Sequence, residues 1–125
     1  MLFEEWIQKA EGDFLVMNSL AAMDKPVWDA VGFHAQQCVE KYFKAYLCQQ
    51  RQTIPKTHDL SRLLQILIKL DKQWACFDNA ELITLSQGAV ECRYPGASLT
   101  RGLCNEMIET CTTIRKAFRK HLVKG

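Results

Sequence analysis

The stretch FHAQQCVEKYFKAYL, residues 33–47, decides the fold. Ala35, Cys38, Val39, Tyr42, Tyr46 and Leu47 return at helical spacing and mark one core-facing side. His34, Gln37 and Lys41 return at i, i+3 and i+7 on a neighbouring stripe. A polar stripe beside a core stripe is ordinarily solvated surface. Whether these three residues do more depends on what the rest of the chain brings to them.

On the N-terminal side, Phe3, Trp6, Ile7, Ala10, Phe14, Met17 and Ala21 predict a helix from residue 2 to about 22. MDKP, residues 23–26, breaks it, and Pro26 suits the first turn of the next helix, where a missing N–H costs nothing. That second helix runs from about 27 to 51 and ends before QTIP. Pro55 pushes Ile54 out of helical geometry, and Thr57 is the expected cap of a third helix that turns Leu60, Leu63, Leu64, Leu67 and Ile68 inward. Asp59 in its first turn suits the helix dipole.

Residues 71–78, DKQWACFD, have no clear period and read as a loop or short helical turn. Asp78 and Glu81 resemble a capping box, with Leu82, Leu85, Ala89 and Val90 marking a fourth helix that stops at Tyr94, ahead of Pro95 and Gly96. The last helix begins near Ser98 and carries Leu103, Met107, Cys111, Ile114, Phe118 and Leu122 in the cleanest periodicity of the chain. No alternating strand pattern and no internal repeat competes. The expected fold is all-α, an up-and-down four-helix bundle with an additional short helix, in a single domain over residues 1–125.

Composition narrows the function classes. The net charge of +2 excludes a global basic field, so any nucleic-acid contact must come from a local patch. The N-terminus lacks a basic segment followed by an apolar run, and no stretch approaches membrane-spanning length, so a cytoplasmic protein with no membrane role is expected. Six cysteines with no CxxC pair read as thiols in a reducing compartment, neither a disulfide framework nor a zinc site.

His34, His58 and His121 are scattered over three elements without ligand spacing, and there is no Gly-rich phosphate loop; no metal and no cofactor is expected. Glu4–Glu5 and Glu11–Asp13 read as solvated charge on the first helix. Three polar groups remain as candidates. His34, Gln37 and Lys41 form the stripe above. Lys56, Thr57, His58 and Asp59 open a helix, where either capping or an anion site would use them. Arg93-Tyr94-Pro95-Gly96 closes a helix, with Arg93 favoured there by the dipole.

The order of four stretches carries a resemblance. WIQKAEGDFLVM, FHAQQCVEKYFKAYL, PKTHDLSRLL and ECRYPG together resemble the bacterial and archaeal HEPN domain proteins over nearly the full chain. The resemblance implies a compact bundle, commonly a homodimer, often paired with a minimal nucleotidyltransferase as a toxin–antitoxin module, and a role in binding nucleotides or RNA. Many such proteins are metal-independent ribonucleases marked by Arg, four to six residues, then His, near the start of the last helix.

Two pairs meet that count: Arg115 with His121, and Arg51 with His58. Arg115 and His121 lie deep in the last helix and point about 120° apart, so they are not expected to converge on one phosphate. Arg51 and His58 sit away from the usual place of the motif. The leading expectation is therefore a dimeric binding protein using His34, Gln37, Lys41, Lys56, His58 and Arg93. The alternatives are an endoribonuclease using one of the two Arg–His pairs, with 2'-OH attack on the adjacent phosphate, and a bundle that only grips another protein.

Overall fold

The computed structural model describes residues 2–91, 95, 96 and 98–122. It contains α1 (Phe3–Ala21), α2 (Trp28–Gln49), α3 (Leu60–Leu70), a 3-10 turn (Lys72–Cys76), α4 (Asn79–Glu91) and α5 (Arg101–Leu122). No strand occurs among the described residues. Arg93 and Tyr94, and the side chains of Ala89 and Val90, lie outside the described residues.

The helix ends follow local chemistry. Asp59, not Thr57, caps α3: its carboxylate accepts from the Ser61 and Arg62 amides, while the Thr57 hydroxyl accepts from the Asp59 amide and shapes the preceding turn. An anionic oxygen is the better acceptor at the positive end of a helix, which places the cap two residues later than expected. Asp78 does cap α4, accepting from the Ala80 amide at 2.8 Å. α5 starts at Arg101, later than Ser98, because Leu99 is buried and its amide donates to Asp29 of α2 at 2.7 Å; Thr100 then caps the helix. α2 ends with Arg51 in the left-handed region at φ 58°, the Gln52 amide donating back to the Leu47 carbonyl at 2.9 Å.

α2 is the central element, packed against α1, α3, α4 and α5. α1 lies antiparallel on it, with Trp6 near Lys44, Glu11 at Tyr42, and Asp13 at Lys41 and His34. α5 runs parallel to α2: the Cys104 thiol meets the Trp28 carbonyl, Cys38 meets Cys111, and Tyr46 meets Phe118 and His121. α4 is antiparallel to α5, so α1, α2, α4 and α5 alternate in direction, with α3 and its turn inserted between α2 and α4. Gly32 sits where α2 meets Leu99 and Met107, and a Cβ there would collide with Leu99.

The core arc of α2 is buried as its spacing requires, from Val31 through Leu47. At one end of the bundle the turn without a period supplies two rings: Trp74 stacks on Phe118 with centroids 4.2 Å apart, and Phe77 lies 5.9 Å from Phe118 on the same cluster. Tyr46 and Phe43 complete the contact from α2. Replacing fully buried Phe118 with Ala removes the ring that joins α2, α5 and the turn. Urea unfolding is expected to show a loss of about 3–5 kcal/mol, with a smaller loss for Phe118→Leu.

Candidate polar interaction site

The i, i+7 spacing of His34 and Lys41 places them two turns apart on α2, and the antiparallel approach of α1 sets one carboxylate between them. Asp13 accepts from His34 Nδ1 at 2.7 Å through one oxygen and from the Lys41 ammonium through the other. Asp13 is only 8% exposed, which corrects the expectation of solvated charge at Glu11–Asp13. The reason is its place in α1: Ala10, Asp13 and Met17 recur at i, i+3 and i+7, and all three are buried. That spacing was the available signal, and the acidic side chain masked it.

His34 and Lys41 keep their outer sides partly open to solvent. With Nδ1 committed to Asp13, His34 Nε2 is the ring nitrogen without a partner among the described residues. Gln37 lies between the two on the helix surface and donates to Gln36 Oε1 at 2.8 Å.

Through Gln36 the stripe joins a second cluster. Gln36, Glu40 and Lys44 are 4%, 3% and 5% exposed, so the polar arc of α2 is buried beside its apolar one. The segment leading into α3 contributes to this second cluster: His58 Nδ1 donates to the Glu40 carboxylate at 2.9–3.0 Å, and the His58 carbonyl accepts from Gln36 at 3.2 Å. Lys44 donates to Glu40 at 3.0 Å. Burial pushes the Glu40 carboxyl up, but the hydrogen bonds from Gln36, Lys44 and His58 outweigh it and hold the group below its ordinary value. His58 remains largely exposed beyond this contact, and Lys56 is exposed. The α3 N-terminus offers an anion little: the Ser61 and Arg62 amides are taken by Asp59, and the Leu60 amide by Ser86.

A third carboxylate, Glu11, ties α1 to α5. Arg115 grips it with two bonds of 2.7 Å, the Tyr42 hydroxyl donates to it, and Arg119 stands 3.4 Å away. The Arg115 guanidinium beside Glu11 holds its carboxyl below the ordinary value against the opposing effect of burial. The Arg115 guanidinium also lies over the Phe14 ring at 4.0 Å. His121 packs against Tyr46 and Trp74 instead, so Arg115 and His121 serve different contacts. Arg51 is exposed at the left-handed end of α2, while His58 is bonded to Glu40. Arg93 lies outside the described residues.

No group of three or more His, Cys, Asp or Glu among the described residues could hold a metal ion, and no described helix is long and apolar enough to cross a membrane. Residues 3–121 match the family model described as the HEPN domain. No curated protein and no solved structure matches the chain.

The depressed carboxyls give a signed pH dependence. A group whose pKa is lower folded than unfolded adds stability above the unfolded value and loses it as pH falls through the folded one. The melting temperature is expected to fall as pH drops below about 5, and Glu11→Gln should flatten that fall while costing about 1–3 kcal/mol near neutrality. Glu40→Ala should cost more, about 3–5 kcal/mol by urea unfolding, because it strands the buried Lys44 ammonium.

Proposed function

Because the chain belongs to the HEPN domain family, we propose that it is a binding protein whose His34–Gln37–Lys41 face takes the phosphate of a nucleotide or an RNA end. On this reading it acts in the cytoplasm as a homodimer, paired with a minimal nucleotidyltransferase in a toxin–antitoxin module. The observation that carries the ligand reading is the buried Asp13 holding His34 and Lys41 side by side with their outer faces open. The Lys41 ammonium can donate to a phosphate oxygen, and so can His34 through Nε2 in its imidazolium form while Nδ1 keeps Asp13; donors held in place lose little freedom on binding. With a net charge of only +2, recognition must be local, and here it rests on directed hydrogen bonds from positioned groups more than on a charged field. The Phe33 ring, edge-on to His34 at 5.3 Å, adds an aromatic neighbour for a base.

The cleavage alternative has less support. Arg115 is spent on Glu11, and His121 is packed between Tyr46 and Trp74. His58 is committed through Nδ1 to Glu40, and its partner by count, Arg51, ends a helix. His58 joins the neighbouring Gln36–Glu40 cluster, and Lys56 is exposed two residues before it.

Fluorescence anisotropy with mononucleotides and a short labelled RNA tests the reading. Wild type is expected to bind, and Lys41→Gln and His34→Gln each to weaken binding about tenfold, the loss of one charge-assisted hydrogen bond. Unchanged affinity in both variants, with melting curves showing them folded, would remove the face as the site. Metal-free RNA cleavage lost on replacing His58 or His121 would favour the enzyme instead.

A further inference from the structure

One stripe of helix α5 carries its exposed charges in two blocks. Glu106, Glu109, Thr113, Lys116 and Lys120 recur at i, i+3, i+7, i+10 and i+14, and all five are exposed. A seven-residue repeat keeps such a stripe in line along a helix. Its N-terminal half is acidic, its C-terminal half basic, and Thr113 sits at the middle. None of these four charged side chains joins an ion pair among the described residues.

Beside the acidic half, α4 and α5 bound a cleft of about 480 Å³. Three carboxylates line it, those of Glu81, Glu106 and Glu109, together with Thr84, Thr110 and Thr113, and no cation does. The isolated chain therefore carries two unrelieved repulsions, carboxylates gathered at one end of the stripe and an i, i+4 lysine pair at the other.

We propose that this stripe is a self-complementary docking face, on which a second copy of the chain packs α5 antiparallel to α5 about a two-fold axis beside Thr113. Reversal about that residue exchanges Glu106 with Lys120, and Glu109 with Lys116, to within half a residue. Each copy then directs Lys116 and Lys120 toward the acidic cleft of the other. Glu106 and Lys120 stand about 21 Å apart along the helix, so one face meets its complement over most of four turns. The arrangement is isologous and closes on itself. A parallel pairing would set carboxylate against carboxylate and lysine against lysine, so the charges select the antiparallel one. A cationic partner of another kind would fill the cleft and leave the lysines unmatched. A second copy satisfies both halves at once.

This inference deepens the homodimer part of the reading above and rests on it only in requiring two copies. Its test separates the two. Variant A carries Lys116→Glu and Lys120→Glu, and variant B carries Glu106→Lys and Glu109→Lys. All four positions are exposed, and circular dichroism should show both variants folded.

In sedimentation velocity, wild type should be dimeric at about 0.05 M salt and shift toward monomer at about 0.5 M, as screened charges require. A and B alone should be monomeric, each bearing one sign along the whole stripe. Mixed in equal amounts they should form an A–B heterodimer. A wild-type dimer that survives in A and B overturns the α5 face and leaves the dimer standing. A wild type that is monomeric under all conditions overturns both. Folded A and B that fail to combine overturn the proposed pairing.

Discussion

Helix α2 has protein on almost every side, and its charges must be answered from within. Its apolar arc meets α4 and α5, while its polar arc lies under α1 and the segment that leads into α3. Glu40 and Lys44 are buried on that arc, and Asp13 of α1 is buried against it. An unpaired charge in such surroundings is costly, whereas a paired one fixes geometry. The elements around α2 are therefore positioned by ion pairs as well as by apolar contact: α1 by Asp13 and Glu11, the entry to α3 by His58 on Glu40, and α5 by Arg115 on Glu11.

The same logic separates support from surface along one helix. Gln36, Glu40 and Lys44 satisfy one another and hold the chain; His34 and Lys41 are satisfied on one side only. A side chain held by a buried partner and open on its far side is preorganised, and that is the physical basis of the anion-binding reading proposed above. Arg115, half-buried, is bound on two oxygens and laid over Phe14, and contributes cohesion to α1 and α5.

Much of the fold was legible because it follows from spacing. The apolar positions of α2 and the four-and-three steps of α5 predict buried faces, and Met107, Cys111, Ile114, Phe118 and Leu122 are buried. Pro26 and the QTIP segment mark real interruptions. Spacing was silent where tertiary contact decides. Nothing local says that His58 returns to Glu40, which lies 18 residues earlier, and so buries a polar arc. Trp74 and Phe77 have no period, yet their rings close one end of the core on Phe118. Of the candidate site, His34 and Lys41 could be read from the stripe; Asp13, which orients both, shares the buried spacing of Ala10 and Met17, but that it meets those two residues is set by how α1 packs on α2.

The parallel run of α2 and α5 also governs how the chain meets oxidants. Cys38 and Cys111 face each other inside the core, and the hydrogen bond between their thiols, with burial, pushes the Cys38 thiol far up. A thiol kept protonated is a poor nucleophile, so Cys38 is chemically quiet inside the core. Among the described cysteines, Cys76, exposed at the end of the 3-10 turn, is the thiol that peroxide or a small disulfide reaches first. Oxidation would thus register at the edge of the aromatic cap before it touched the helix pairing.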